Sequence, residues 1–346
     1  EDGVAWPEML IRRDLTLEAT DRLSEVGGRV AEMFEVLDAP SAPEVYATKA
    51  LCSRPWRCDY FDHCMAAKPD DWAGLLYRIH SNRLAALHSQ GIESIPDIPE
   101  DFQLPEKQAI ALDCIASGEI WVSDDLKDAI LCFGPPAYYM DFETTAPGIP
   151  IYVDTRPYET VPFQFSVHYM NDDGALSHTA YLAEGDRHPG REFAEELIKA
   201  MDRTDIPVVV YNQSFELGVL DALRQMFPDL AAGIGAIMEN VVDLLPLVRD
   251  HVCHPGFITK RSLNAGTYSI KNVLPALVPS MSYANLEGVA EGGEASRVFA
   301  AIAHGAYTDR EADDYRQQLL DYCEQDTLAM VEIQRALESL CAPTKT

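Results

Sequence analysis

Basic residues are scarce in this chain. Lys and Arg total 27 against 56 Asp and Glu, a formal net charge of −29 over 346 residues. A protein that coats nucleic acid by bulk attraction needs the opposite balance, because such affinity comes from neutralising phosphates. An enzyme with one local basic track is still allowed, since an acidic excess also serves solubility. Long apolar runs are missing too. The longest, around 206–211 and 231–238, fall far short of the roughly 18 residues that span a bilayer, so no membrane segment is expected. The opening EDGVAWPEML has neither the basic region nor the apolar stretch of a secretory signal. It also lacks an initiating Met, which reads as a piece of something longer. Internal repeats and low-complexity tracts are absent. The eight cysteines are mostly scattered. A chain with 47% hydrophobic residues needs no disulfide staples, so a reducing cytoplasm is expected.

What is present divides at about residue 137. Leu15, Ala19, Leu23, Val26, Val30 and Met33 recur at helical spacing in an acidic first segment. A Cys-rich stretch follows, then a helical pattern over 71–90. Pro96, Pro99 and Pro105 mark a break, another helical piece spans 106–117, and GPP at 134–136 marks a second break. Beyond it the pattern changes. Strand-like runs cover 138–144, 163–169 and 177–182, and short ones 207–211 and 241–243. Helices are expected over 190–202, 215–227 and 309–340. The segment TYSIKNVLPAL reads as a helix led by Ser269. Three strands, then helix, strand, helix, strand, helix predict an α/β domain with a mixed sheet flanked by helices. The expected division is a smaller, mainly helical N-terminal region at 1–105, a linker at 106–136 and the α/β domain at 137–342.

Three acidic motifs fall in order along that domain. Asp141 and Glu143, in MDFETT, are two apart on a strand and share a face. Two carboxylates at an apolar strand end are costly unless a cation fills the gap; a polar edge facing water is the bland alternative. Glu216, in YNQSFELGVL, lies one turn into a helix just past the end of a buried strand, where α/β sheets present ligands. The helix dipole alone would also favour an acid there. Tyr322 and Asp326, in LLDYCEQDTLAM, are four apart and point the same way. A Tyr–Asp hydrogen bond packing the helix would explain that pair too. Asp243, at a strand end, is a candidate for a further acid behind the metal ligands, with a helix N-cap as the favoured alternative.

Taken together, Asp-x-Glu, Asn-x-x-Phe-Glu and Tyr-x-x-x-Asp resemble the DEDDy class of 3′→5′ exonucleases, with an RNase H-like fold, over about 138–340. Motif II of that class ends in Asp, and here Glu216 stands in its place. The stretches DFETTAPGIPIYVDTRPYETVPFQFSVH, TYSIKNVLPAL and YCEQDTLAM are also similar to an uncharacterised bacterial exonuclease-like domain family, found in proteins with RecB-like, iron–sulfur nuclease segments. On that resemblance the N-terminal region would be a remnant of such a nuclease, and a RecB-like segment a partner. The resemblance implies two Mg²⁺ or Mn²⁺ ions, hard cations that take carboxylate oxygens rather than thiols. Asp141 would bridge both, Glu143 and Asp326 would complete one site, and Glu216 would serve the other. Tyr322 would orient or deprotonate the attacking water.

The substrate side is read from a gap in the acids. Residues 244–286 hold one acid, Asp250, beside Arg249, Lys260, Arg261 and Lys271. Lys260, Arg261 and Lys271, with Asn212 at the strand end, are the expected substrate contacts. Tyr268 and Tyr283 could stack on bases of a single strand or a 3′ end. DNA is expected in preference to RNA. An ordinary segment that happens to lack acids is the alternative. Cys52, Cys58 and Cys64 are evenly spaced as C-x5-C-x5-C and resemble the C-terminal cysteines of iron–sulfur RecB-like nucleases. That cluster draws a fourth cysteine from upstream, and no cysteine precedes Cys52, so Cys114 or Cys132 would have to substitute. A [4Fe–4S] cluster, zinc and unliganded core thiols all stay open. The reading is a metal-dependent 3′→5′ exonuclease. Its rival is a catalytically silent nucleic-acid-binding module that keeps the fold.

Overall fold

The computed structural model describes residues 11–41, 52, 56–260, 262–281, 288–289 and 291–342. The chain divides into two compact units, Glu1–Asp59 and Tyr60–Thr346. The described part of the first unit is chiefly a helix, α1 (Thr16–Leu37). Asp14 starts it by accepting the Thr16 N–H at 2.9 Å, and Glu25 and Arg29, one turn apart, pair at 3.1 Å. None of its residues is buried.

The second unit is built on a five-stranded sheet. Its strands are β1 (Ala137–Thr145), β2 (Val161–Met170), β3 (Leu176–Leu182), β4 (Val208–Val210) and β5 (Val241–Asp243), in the order β3-β2-β1-β4-β5. The first three form an antiparallel meander. β4 lies parallel to β1 and β5 parallel to β4, each entered through helices. This is the mixed, RNase H-like sheet expected. The main helices around it are α2 (Gly190–Ala200), α3 (Ser214–Met226), α4 (Ile270–Leu277), α5 (Gly292–Ala303) and α6 (Asp309–Leu340).

The central strand β1 sorts its side chains by parity. Tyr138, Met140 and Phe142 enter an apolar core with Phe165, Phe193, Leu197 and Leu220. Burying each such side chain stabilises the fold by about 1.5–3 kcal/mol. Tyr139, Asp141 and Glu143 face the other way, toward α6. The Tyr139 hydroxyl donates to Gln334 Oε1 at 2.8 Å, and the Cys323 thiol approaches Asp141 Oδ2 at 3.8 Å. Partner numbers fall along α6 as they rise along β1, so the two run antiparallel. Gln164 of β2 donates to the Leu319 carbonyl at 2.7 Å, tying the helix to the neighbouring strand. A capping box at Thr308 and Glu311 sets where α6 begins.

Residues 60–136 belong to the same compact unit as the sheet. Trp72, Leu75, Leu76, Leu84, Leu87 and Ile95 are buried, which is why this stretch does not stand apart. The expected linker at 106–136 is folded. It contains helix Glu106–Ser117 and a two-residue antiparallel ladder in which Trp121 and Val122 pair with Cys253 and Val252. The apolar residues Ala111, Cys114, Leu126, Ile130 and Phe133 hold it down. Over 71–90 the helix is shorter than its pattern, confined to Ser81–Ser89 after a 3₁₀ turn at Ala73–Leu75. Among the described residues no helix is long and apolar enough to cross a membrane.

Candidate metal centre

Two of the three acidic motifs bring their side chains to one place, while Glu216 of the remaining motif lies outside that group, near enough to Asp141 to raise its pKa. Asp141 and Glu143 come from the last part of β1. Asp326 comes from the face of α6 laid against that strand. One carboxylate oxygen from each lies within 4.8 Å of the others. They sit in a pocket of about 480 Å³ that is also lined by Tyr322, Phe215 and the start of α5. Glu143 and Asp326 are buried, and Asp141 is half-buried. Among the described residues no donor reaches Glu143.

Glu216 occupies the first turn of α3 and is 2% exposed. Its Oε2 is buried with no hydrogen-bond partner. The turn that delivers it is clamped by Asp243, whose carboxylate accepts the N–H groups of Asn212 at 2.9 Å and Gln213 at 3.1 Å. Asp243 also accepts the Leu245 N–H at 3.0 Å and so caps the next helix, Leu244–His251. The expected N-cap therefore does a second job, which spacing alone did not reveal. Asn212 has φ of 79°, a left-handed conformation that Asn tolerates better than most residues. It is exposed, and its Oδ1 accepts from the Ser214 hydroxyl at 3.0 Å.

Packing carboxylates together out of water raises their pKa values. Asp141 is pushed well up by burial first, then by Asp326, Glu143 and Glu216. Glu143 rises to about 8 through burial and Asp326, with Lys271 pulling it back. Glu216 also rises to about 8, mainly through burial. The Tyr322 hydroxyl is pushed far above its ordinary range by burial and then by Asp326, Glu143 and Asp141. It therefore keeps its proton while no cation offsets the acids.

This donor set suits a hard divalent cation. All the candidate ligand atoms of Asp141, Glu143 and Asp326 are carboxylate oxygens, and Glu216 Oε2, outside that group, is buried without a donor. A proton count follows. Groups near pKa 8 are largely protonated at pH 7, and a cation must displace those protons. Calorimetry of Mn²⁺ binding at pH 7, in buffers of different ionisation enthalpy, should show about one to two protons released. Stability has a matching sign. Glu143 and Glu216 have folded pKa values above the ordinary 4.5. Their stabilising contribution is complete below about pH 4.5 and is lost as pH rises through about 8. Metal-free protein should therefore melt lower toward pH 9, with Mn²⁺ raising Tm most at that end. Equal melting shifts at pH 5 and pH 9 would count against a cation at these acids.

The substrate track is only partly assembled. Lys271, in the first turn of α4, places Nζ 5.1 Å from the Tyr322 ring centre, beside the acids. Lys260 pairs instead with Asp70 at 3.2 Å. Tyr268 is buried against Tyr77 and Phe257, so its ring is not offered to a base. The reason is a non-local contact, since Tyr77 lies in the stretch expected to stand apart. Arg261 and Tyr283 lie outside the described residues. Of the cysteine trio, Cys52 and Cys58 belong to the first unit and Cys64 to the second. Within the first, the Cys58 N–H donates to the Cys52 carbonyl at 2.9 Å. Cys114 is buried in the second unit, its thiol directed at the Cys253 carbonyl at 3.5 Å. Cys132 is exposed.

Two features of the pocket were not singled out in the sequence. Phe215, immediately before Glu216, is 41% exposed and lines the pocket. Its place inside the second motif was the available signal. The other is the start of α5, where the Gly pair of EGGEAS was the only trace.

A family model described as a domain of unknown function (DUF2779) matches residues 138–262. That span takes in all five strands with Asp141, Glu143 and Glu216, and ends before Lys271, Tyr322 and Asp326. No curated protein and no solved structure matches the chain.

Proposed function

We infer that this chain is a metal-dependent 3′→5′ exonuclease that hydrolyses phosphodiester bonds. One observation supports the reading above all others. Carboxylates from three positions, supplied by a central strand and a distant helix, converge within 4.8 Å beside Tyr322. Asp141, Glu143, Asp326 and Glu216 would hold two Mg²⁺ or Mn²⁺ ions. When bound, such a pair stabilises charge on the attacking and leaving oxygens of the phosphodiester. Tyr322, protonated and buried at 4% exposure, would orient the attacking water. The exposed ring of Phe215 offers a face on which a terminal base can stack. Lys271 supplies positive charge next to the tyrosine. The polarity and the preference for DNA rest on the DEDDy resemblance, as do the RecB-like partner and the iron–sulfur or zinc reading of Cys52, Cys58 and Cys64. Cysteine usage favours the cytoplasm as the place of action.

The testing experiment is a nuclease panel. End-labelled single strands and duplexes of DNA and RNA are incubated with Mg²⁺, Mn²⁺ or EDTA. Mononucleotide release from 3′ ends that EDTA stops supports the reading. Binding without release in either metal would favour the silent module, for which Glu216 in place of Asp is the relevant observation.

A further inference from the structure

The first turn of α5 enters the pocket beside the acids. Gly292, Gly293 and Ser296 line it together with Glu143 and Asp326. Two contacts hold the helix in that position. Phe299 stacks on Phe163 of β2 with ring centres 4.0 Å apart, and the Ser296 hydroxyl donates to Thr145 Oγ1 at 3.2 Å. Gly292 passes close over the carboxylate. A Cβ built on it would lie 3.4 Å from Glu143 Oε2 and 3.8 Å from Oε1. A Cβ on Gly293 would meet nothing within 4 Å, so the backbone there is open to approach.

The helix end is not closed by its own N-cap side chain, since Glu291 makes no capping hydrogen bond. The Glu294 and Ala295 N–H groups turn back to the Glu291 carbonyl at 2.9 and 3.0 Å. That leaves the N–H groups of Gly292 and Gly293 without an acceptor within the helix. Aligned peptide dipoles leave roughly half a positive charge at that end, and such an end seats anions.

A helix end alone does not make a site, and the independent observation is Glu143. It is 8% exposed, faces the same pocket and has no hydrogen-bond partner among the described residues. No N–H of α5 is donated to it, so the helix end does not serve simply to satisfy that acid. A buried carboxylate without a donor calls for a cation, while the helix end calls for an anion. One ligand meets both demands, a cation carrying a phosphate. We propose that the Gly292–Gly293 turn is the phosphate seat of this pocket. Its N–H groups would bind the non-bridging oxygens of a strand's terminal phosphodiester, on the side away from the carboxylates. The proposal rests on the cation reading of the acids.

Two substitutions test it. Gly293→Asp places a carboxylate where the phosphate would sit, and an acid in a first turn favours the helix. Gly293→Pro removes one N–H without adding charge, at a helix position where proline is tolerated. Thymidine 5′-monophosphate is titrated calorimetrically into wild type and both variants, with Mn²⁺ and with EDTA. Mn²⁺ affinity and Tm are measured separately. Both variants should bind the nucleotide about tenfold or more weakly, the loss expected when a hydrogen bond to a charged group is removed. Mn²⁺ affinity and Tm should not fall. Wild-type nucleotide affinity in the Pro variant would overturn the seat, as would wild-type protein that binds no nucleotide with Mn²⁺ present. Nucleotide binding that both variants weaken, in a protein that takes no Mn²⁺, would keep the seat and remove the metal reading.

Discussion

Asp141→Ala is expected to lower hydrolysis by at least about 10³-fold, because on the proposed reading Asp141 would help hold the ions that supply several kcal/mol of transition-state charge stabilisation. The same substitution should leave the metal-free protein as stable as wild type or more stable. Asp141 sits among Asp326, Glu143 and Glu216, and burial and those neighbours raise its pKa well above the ordinary range. Removing it relieves that repulsion. Its side chain meets the Cys323 thiol at 3.8 Å and the Phe142 N–H, neighbours that Ala leaves in place. Mn²⁺ should then fail to raise Tm, although it is expected to do so in wild type. The pairing of lost activity with undiminished melting temperature separates a ligand from a structural acid. Wild-type turnover in this variant would remove the two-metal assignment.

Tyr322→Phe should reduce kcat by roughly 10²-fold or more if the hydroxyl positions the water. KM and Mn²⁺ affinity should stay near wild type, because Asp141, Glu143, Glu216 and Asp326 are untouched. An interaction made mainly in the transition state leaves that signature. On the proposed reading the hydroxyl would orient the water rather than deprotonate it. Burial and three nearby acids push the hydroxyl far above its ordinary range, and the ring stays in place under Lys271. A Phe variant with full kcat would reduce Tyr322 to packing and weaken the DEDDy reading as a whole.

Much of the site could be read from spacing. Asp141 and Glu143 share a face because strand side chains alternate, and Tyr322 and Asp326 because a helix returns every 3.6 residues. Glu216 was placed by its position after a buried strand. Of the helices Ala231–Glu239, Leu244–His251 and Gly292–Ala303, the first and third were not anticipated, and the second only through its N-cap, Asp243. The first is apolar on most sides, the second contains Pro246, and the third opens with two glycines, so none shows a clean periodic stripe with ordinary start signals.

The substrate track shows the limit from the other direction. A shortage of acids in 244–286 predicted a basic face, yet Lys260 turned to Asp70 and Tyr268 packed against Tyr77. Both partners come from 60–80, a stretch whose docking in the same compact unit no local pattern signals. The sequence alone settled the five strands from 137 onward, the longest helices around them, the mixed character of the sheet, and which acids lie on a common face. These are local periodicities, set by backbone geometry. Tertiary packing decided that β1 and α6 would press those faces together, that Asp243 would clamp the turn before Glu216, and that the first turn of α5 would close on Glu143. Each is a contact between segments far apart in the chain, fixed by how apolar faces such as Phe163 and Phe299 fit together, and residue spacing within one segment holds no record of that fit.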